Sequence, residues 1–233
     1  MHGVFVTGTD TGVGKTFVGC ALARALGRAG MSVAVRKPVE SGCERRKGLL
    51  FPADGIALAR AAGDREKLDT VTPLRLAHAI SPERAARLEG VNLRIVDLEK
   101  AVAAGAPGDF RLVEGAGGIL SPLALDGLNA DLAIALALPV LVVVADRLGC
   151  INHALLTVEA IERRGLAVSA LVLNAISADV DGAMANRDDL AERVDVPVFA
   201  FPHGRDDRKA AELAANELAP LFTTDRADEM GMA

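Results

Sequence analysis

Six short runs of apolar and β-branched residues recur along the chain, each separated from the next by a longer segment rich in alanine and leucine. Almost continuous apolar character is typical of strands buried on both faces of a parallel sheet. The runs are residues 4–7, 32–36, 111–113, 140–145, 170–173 and 198–201. Regular alternation of such strands with helices predicts a doubly wound, mostly parallel α/β sheet with helices on both faces.

The segments between these strands carry helical signals. Gly30 and Gly165 follow closely on two of them, as glycine does where a helix ends in a left-handed residue. The predicted helices are residues 15–28, 54–62, 82–88, 96–104, 131–138, 151–164, 187–193 and 208–221. We therefore expect a single domain over residues 1–222, followed by a polar tail at 223–233.

Composition agrees with one folded domain and limits its partners. The chain has 233 residues, of which 51% are hydrophobic and 24% charged, close to globular averages and unlike a disordered chain. Its net charge of −5 argues against nonspecific nucleic-acid binding, and the absence of Trp and Tyr argues against a stacking platform for bases. We expect small-molecule substrates and no nucleic-acid partner.

Cysteine usage and hydropathy bear on the compartment. Cys20, Cys43 and Cys150 are odd in number and form no CxxC pair, which favours reduced thiols over a disulfide framework or a zinc site. The longest apolar stretch, residues 132–145, is broken by Pro139 and is too short to span a bilayer. We expect a cytoplasmic protein without a membrane partner.

The first predicted strand runs into the sequence GTDTGVGKT at residues 8–16, and a predicted helix follows. This is the setting of a P-loop, in which glycines let backbone N–H groups point at phosphate oxygens. Lys15 then reaches the β- and γ-phosphates, and the Thr16 hydroxyl binds Mg²⁺. The usual pattern has a glycine five residues before Gly14, whereas this chain has Thr9 there and its glycine at Gly8.

Two further strand ends carry chemistry at the same edge of the sheet. Glu114 directly follows the predicted strand 111–113 and precedes a glycine cluster. This is the place where P-loop proteins hold magnesium. Lys37 follows the predicted strand 32–36. A second lysine beside Lys15 suggests stabilisation of charge on a phosphorylated or carboxylated intermediate.

Four segments occur in order: GTDTGVGKT at 8–16, KPVESG at 37–42, EGAGG at 114–118 and LGCINH at 148–153. Together they resemble the dethiobiotin synthetase family of biotin biosynthesis, over about residues 3–204. The resemblance extends to the displaced glycine of the first loop. It implies an ATP- and Mg²⁺-dependent cyclo-ligase that joins CO₂ to 7,8-diaminononanoate and closes a cyclic urea, through a carbamate and a mixed carbamic-phosphoric anhydride.

The resemblance also assigns residues to roles. Lys37 and Lys15 are implied to be catalytic, and the metal ligands are implied to be Thr16, Asp54 and Glu114. The implied nucleotide and metal contacts are Gly12, Val13, Gly14, Lys15, Thr16, Phe17, Asp54, Glu114, Gly115, Ala116, Gly117, Asn174, Pro202, His203 and Gly204. The implied substrate contacts are Thr11, Lys37, Ser41, Gly118, Cys150, Ile151 and Asn152. In a homodimer of this family, residues 150–152 come from the partner subunit and receive the substrate carboxylate.

Two other functions remain open at this level. Partitioning or positioning ATPases share the fold and act as switches, but they carry a lysine early in the loop where this chain has Asp10. A nucleotide-sensing module would bind ATP without converting a diamine. Diamine-dependent release of phosphate distinguishes the ligase from both.

Overall fold

The computed structural model describes residues 2–176, 184–202 and 208–223 of the chain. Its strands are β1 (Gly3–Gly8), β2 (Val33–Arg36), β3 (Val39–Glu40), β4 (Glu44–Arg46), β5 (Leu49–Phe51), β6 (Leu74–Arg75), β7 (Phe110–Gly118), β8 (Pro122–Ala124), β9 (Gly127–Leu128), β10 (Val140–Ala145), β11 (Val168–Asn174) and β12 (Val198–Phe201). Its helices are α1 (Lys15–Arg28), α2 (Ala53–Ala61), α3 (Leu68–Val71), α4 (Pro82–Leu88), α5 (Ile95–Ala103), α6 (Asn129–Leu136), α7 (Cys150–Glu162), α8 (Asn186–Ala191) and α9 (Arg208–Leu218), with a 3₁₀ turn at Ala219–Phe222.

The central sheet has the strand order β12-β11-β10-β1-β7-β2, and every neighbouring pair in it is parallel. From β1 the chain builds β2 and β7 on one side and then β10, β11 and β12 on the other. The carboxyl end of β1 therefore lies where the direction of winding reverses, which is the ligand-binding position in open α/β sheets.

Each face of the sheet is covered by its own apolar cluster. Alternation along β1 sends Val4 and Val6 to one face and Phe5 to the other. The first cluster includes residues of α1, α2 and α9, and the second includes residues of α5, α6, α7 and α8. The expected single α/β domain with helices on both faces is confirmed.

Each predicted strand and helix has a counterpart in the structure, with bounds that differ by a few residues. The largest difference is β7, which continues through the glycine cluster to Gly118, because that residue pairs with Gly8 of β1 after a register shift. Three two-stranded sheets, β3–β6, β4–β5 and β8–β9, were not predicted. Each of their strands has two or three residues, too few for a periodic pattern.

Within the described ranges, no helix is long and apolar enough to cross a membrane. All but the first residue of the predicted polar tail lies outside the described residues.

Candidate active site

The loop between β1 and α1 has the conformation that its glycines allow. Gly12 and Gly14 have φ values of 77° and 96°, in the left-handed region that favours glycine. A Cβ atom on Gly14 would also lie 2.2 Å from Nδ2 of Asn174, so the loop and the end of β11 meet at a position that admits no side chain. Asn174 Nδ2 donates a hydrogen bond to the carbonyl of Val13 at 3.0 Å, which holds the loop against the end of β11.

The displaced glycine of the loop has a steric reason. A Cβ atom on Gly8 would lie 2.6 Å from Cγ2 of Val13 and 2.8 Å from the carbonyl oxygen of Asp10. The loop folds back over Gly8, and Lys15 closes it by donating from Nζ to that same Asp10 oxygen at 3.0 Å. A glycine at position 8 therefore serves the tight turn, while Thr9 remains outside the contact.

Helix α1 starts at Lys15 and carries both polar side chains predicted for the phosphate and metal site. The N-cap position is Gly14, which provides no side-chain cap. The N–H groups of the first turn therefore have no side-chain acceptor at the N-cap. In P-loop proteins such N–H groups bind phosphate. Thr16 donates from Oγ1 to Oε1 of Glu114 at 2.9 Å, which joins the helix to the end of the buried part of β7.

Lys37, Asp54 and Glu114 form a compact charged cluster beside Thr16. Nζ of Lys37 lies 2.6 Å from Oε1 of Glu114 and 3.1 Å from Oδ2 of Asp54, and it donates to the carbonyl of Gly115 at 3.0 Å. The side chains of Lys37 and Glu114 are almost fully buried, whereas that of Asp54 is partly exposed. The end of β2, the middle of β7 and the start of α2 therefore place one ammonium group between two carboxylates, and Glu114 does not end its strand as expected.

Burial and neighbouring charges shift the pKa values in this cluster. Burial alone would lower the pKa of Lys37, but the charges of Glu114 and Asp54 outweigh it and raise that pKa. Burial, followed by repulsion from Lys37, lowers the pKa of Lys15 to about 8. Burial would raise the pKa of Asp54, but attraction to Lys37 and hydrogen bonds from Lys37 and Thr16 lower it. Asp54 is therefore ionised at neutral pH.

The glycine cluster after Glu114 is held as a strand by a buried asparagine. Asn129 is fully buried, accepts the N–H of Ala116 at 2.9 Å and donates to its carbonyl at 2.8 Å. A Cβ atom on Gly115 would lie 2.6 Å from Oδ1 of Asn129. The glycine thus gives Asn129 room to hold the backbone at the site.

A cavity of about 660 Å³ opens above these groups, within the size range of small-molecule sites. Twelve of the sequence-predicted residues line it: Thr11, Gly12, Gly14, Lys15, Thr16, Phe17, Lys37, Ser41, Asp54, Glu114, Ala116 and Gly117. Val13, Gly115 and Gly118 belong to the same two segments without lining the cavity. The two lysines expected to be catalytic and the three expected metal ligands are therefore brought together.

Other predicted residues lie away from this cavity. Asn174 is buried behind Gly14, and Pro202 follows β12. Cys150, Ile151 and Asn152 start α7 and do not line the cavity of their own chain. His203 and Gly204 lie outside the described residues.

The oxygen atoms present fit a magnesium ion. Thr16, Asp54 and Glu114 offer a hydroxyl and two carboxylates, the hard ligands that Mg²⁺ prefers. Oε2 of Glu114 is buried and accepts no hydrogen bond from any described residue, so one carboxylate oxygen is available. The described residues contain no group of three or more His, Cys, Asp or Glu suited to a metal, and so this chain offers two carboxylates rather than a complete coordination cage.

Sequence reasoning missed several residues that line the cavity. Glu40, Ser121 and the segment from Ala79 to Pro82 all contribute to its wall. Ser41 donates from Oγ to the carbonyl of Ile80 at 2.7 Å, which attaches that segment to the site. Of these residues, Glu40 lies in the segment KPVESG at 37–42, but the resemblance gives it no role. The placement of the others depends on the short β3–β6 and β8–β9 pairings.

The fold, the loop and the converging lysines define a P-loop nucleotide-binding protein. Residues 2–202 match the family described as "AAA domain". The solved structure of the septum site-determining protein MinD complexed with Mg-ADP, from Pyrococcus horikoshii, aligns with a TM-score of 0.55 at 16% identity, covering 99% of this chain and 98% of that one. At that identity the likeness concerns the fold alone.

Sequence relatives give a narrower result. The chain is 50% identical over 177 residues to the ATP-dependent dethiobiotin synthetase BioD of Anaeromyxobacter sp. strain K, covering 75% of this chain and 77% of the relative. It is 43% identical over 224 residues to the protein of the same name from Pseudomonas aeruginosa strain UCBPP-PA14, covering 95% and 98%. The chain belongs to the family of ATP-dependent dethiobiotin synthetases.

Proposed function

We propose that this cavity catalyses ATP-dependent closure of the ureido ring of dethiobiotin from 7,8-diaminononanoate and CO₂. The observation that carries the proposal is the convergence of Lys15 and Lys37 on one cavity beside Thr16, Asp54 and Glu114. The reaction must bring two anions together, a carbamate and the γ-phosphate of ATP. Two ammonium groups in a largely buried site lower the electrostatic cost of that approach.

The phosphates bind in the loop before α1. Backbone N–H groups around Gly12 and Gly14 and the amino end of the helix hold the β- and γ-phosphates, and Lys15 neutralises part of their charge. Mg²⁺, held by Thr16, Asp54 and Glu114, supplies further positive charge to the phosphate oxygens when it is bound. The nucleotide is ATP by the name that the relatives share.

The proposed reaction has three steps. One amine of the diamine adds to CO₂, forms a C–N bond and releases a proton, giving a carbamate. A carbamate oxygen attacks the γ-phosphorus, and the bond to the leaving ADP breaks. The second amine then attacks the activated carbonyl carbon, loses a proton and expels phosphate, which closes the ring. Lys37 stabilises the charge on the carbamate and on the transferred phosphoryl group throughout.

The substrate lies between the phosphate loop and the segment attached to Ser41. Thr11 and Ser41 carry hydroxyl groups on the cavity wall, and both are suited to contact the diamine or its carbamate. Ile80 and Pro82 add apolar surface for a hydrocarbon chain. This division of polar and apolar wall is suited to a substrate with two amines at one end of an aliphatic chain.

The site is proposed to be completed by a second copy of the chain. Residues 150–152 start α7 away from their own cavity, and Leu148 beside them is 87% exposed. A helix start offers N–H groups and a favourable dipole to a carboxylate. A homodimer that brings this start to the neighbouring cavity would place it at the carboxylate end of the substrate. A cytoplasmic location belongs to the same proposal and is supported by three free, buried cysteines.

The deciding experiment measures phosphate release from ATP with bicarbonate, with and without 7,8-diaminononanoate, and identifies the product by mass spectrometry. A ligase releases phosphate only with the diamine and forms one dethiobiotin per phosphate. Lys37→Ala should slow this release by about 10²–10³-fold, whereas Lys47→Ala, which alters an exposed lysine between β4 and β5, should retain it.

Other outcomes assign other functions. Steady hydrolysis that is indifferent to the diamine indicates a nucleotide switch of the partitioning or positioning type. ATP binding without hydrolysis under either condition indicates a sensing module. Both results would overturn the proposed ligase activity.

A further inference from the structure

Glu40 is a buried carboxylate within KPVESG at 37–42, and neither the family resemblance nor the proposed reaction gives it a role. It ends the two-residue strand β3, is 6% exposed and lines the cavity. Oε1 accepts the N–H of Asp54 at 3.1 Å, and Oε2 accepts the N–H of Gly55 at 2.9 Å. Both oxygens of this side chain are therefore engaged by the first turn of α2.

Helix α2 needs such an acceptor from outside. Its N-cap residue is Pro52, which has no side-chain acceptor and makes no capping bond. The first N–H groups of a helix have no partner within the helix, and a buried unpaired N–H group is unfavourable. Glu40 on strand β3 accepts two of these N–H groups, although it lies 14 and 15 residues earlier in the chain.

The same turn is held tightly on its other side. A Cβ atom on Gly55 would lie 1.9 Å from Oγ1 of Thr72, so α2 starts in close contact with the residue that follows α3. Thr72 is itself fully buried. The start of α2 is thus clamped between the Glu40 carboxylate and the Thr72 side chain, and it has little freedom to shift.

Asp54 belongs to this clamped turn and carries its carboxylate to the charged cluster. Its N–H is bound by Glu40, while Oδ2 lies 3.1 Å from Nζ of Lys37. The backbone of Asp54 is therefore fixed by one carboxylate and its side chain by one ammonium group. Displacement of this turn by a fraction of an ångström would move the carboxylate relative to Thr16 and Glu114.

We propose that Glu40 is a positioning residue, which holds the first turn of α2 so that the Asp54 carboxylate is presented to the metal–nucleotide site. It acts through Asp54, because its two oxygens hold the N–H groups of Asp54 and Gly55. The inference rests on the proposed function only for the use of Mg²⁺ with a nucleotide, and its test requires no diamine.

The first measurement is amide hydrogen exchange in the full-length, unliganded protein. In Glu40→Ala, the N–H groups of Asp54 and Gly55 should exchange faster by about tenfold or more, since each loses its acceptor. Exchange in the strands of the central sheet should stay unchanged. Glu40→Gln retains one acceptor oxygen and similar volume, so it should lose protection at only one of the two amides.

The second measurement is calorimetric binding of ADP with and without Mg²⁺. Glu40→Ala should weaken binding of Mg²⁺–ADP by about tenfold, of the order found for outer-shell partners of metal ligands, and binding of metal-free ADP by less than about twofold. A matched control is Asp126→Ala, because Asp126 Oδ1 accepts the N–H of Ile95 at 2.9 Å and so caps α5 from outside in the same way. Asp126 does not line the cavity, and its removal should leave both affinities unchanged.

The third measurement separates positioning from simple loss of negative charge. In an Asp54→Ala background, Glu40→Ala should have no further effect on the Mg²⁺ dependence of ADP binding, because the group that Glu40 positions is gone. A charge effect would persist in that background. Faster exchange at Asp54 and Gly55 without any change in Mg²⁺ dependence would make Glu40 purely structural and overturn the proposal.

Failure of the ligase function would look different. A parent protein that binds Mg²⁺–ADP but does not convert the diamine contradicts the proposed reaction and leaves the test of Glu40 intact. Equal losses of metal-bound and metal-free ADP binding in Glu40→Ala contradict the role of Glu40 and leave the ligase function intact. If Glu40→Ala does not fold, Glu40→Gln carries the same comparisons.

Discussion

Lys37 lies with its Nζ 2.6 Å from Oε1 of Glu114, and these residues belong to neighbouring parallel strands, because Lys37 directly follows β2 and Glu114 lies within β7. The pair is almost completely buried, so its charges are weakly screened by water. Asp54 approaches the same ammonium group from α2 at 3.1 Å. Burial of a lysine with two carboxylates carries a desolvation cost, and the place of this cluster beside the cavity supports the proposal that it handles anionic reactants.

Removal of this ammonium group should affect the chemical step most. Lys37→Ala should lower kcat by about 10²–10³-fold, as loss of one preorganised charge at a transition state does. ADP affinity should change less, because Lys15 and the loop backbone remain. Single-turnover measurements of phosphate transfer test this, and Lys37→Ala with near-normal turnover contradicts the assigned role.

The metal assignment predicts a change in the magnesium requirement. Glu114→Gln should raise the Mg²⁺ concentration needed for half-maximal activity, since a neutral amide is a poorer ligand for a hard cation than a carboxylate. Thr16 and Lys37 can still donate to the amide oxygen at the position of Oε1. A magnesium titration of the variant that overlays the parent curve speaks against Glu114 as a ligand.

The central sheet and most of the site could be predicted from the sequence, because the patterns that indicate them lie within short continuous segments. A strand that runs into GTDTGVGKT and then a helix specifies a P-loop wherever it occurs. Because parallel strands end at the same edge of a sheet, Lys37 and Glu114 could also be expected near that loop. Asp54 was assigned only through the family resemblance, because an aspartate at a helix start is most often a cap.

The parts that could not be predicted depend on contacts between distant segments. Glu40 acquires its role only when β3 brings it to the start of α2, and a two-residue strand has no periodic signal. Asn129 is an ordinary helix-start residue in sequence, yet it holds the backbone at Ala116. Glu114 was expected to end its strand, but pairing between Gly8 and Gly118 extends β7 through the glycines that follow.

Asn174 is predicted to contact adenine while also anchoring the loop. One N–H of its amide is used by Val13, and its Oδ1 is buried without a hydrogen-bond partner among the described residues. A free acceptor and a second N–H can pair with the N7 and N6 edge of adenine. Asn174→Ala should therefore reduce kcat/KM for every nucleotide through the loop, and for ATP by a larger factor than for GTP or CTP. Equal losses for all three nucleotides show that Asn174 anchors the loop only.

The buried thiol of Cys20 predicts a pH-dependent loss of stability. Burial, and next the charge of Glu114, raise the pKa of Cys20 from about 9 to about 12. The unfolded chain therefore releases this proton at lower pH than the folded chain, and stability falls as pH rises from about 9 towards 12. At pH 10 the loss from this group is about 1 kcal/mol.

Urea unfolding of the parent and Cys20→Ala in metal-free buffer isolates this effect. Alanine has no titrating group, so the difference in unfolding free energy between the two proteins should shift in favour of the variant by about 1 kcal/mol between pH 8 and pH 10. Cys43 and Cys150 are common to both proteins and cancel in the comparison. Parallel stability curves over this range contradict the raised pKa.

The proposed sharing of sites between subunits predicts complementation between two inactive variants. Lys37→Ala removes a charge from the cavity of one subunit. Asn152→Asp places a negative charge at the exposed start of α7, where it repels the substrate carboxylate at a helix end that otherwise attracts it. Each variant alone should be nearly inactive as a homodimer, because every site then contains one damaged component.

When equal amounts of the two variants are unfolded together and refolded, about half of the dimers should contain one copy of each variant. Because the dimer is two-fold symmetric, each mixed dimer has one doubly damaged site and one intact site. Recovered activity should therefore be about a quarter of the parent value by the same counting. If each site is built within one chain, every site in a mixed dimer keeps its own defect and mixing restores nothing. Native mass spectrometry confirms that mixed dimers have formed, and a mixture that contains them but is no more active than its components rejects the shared site.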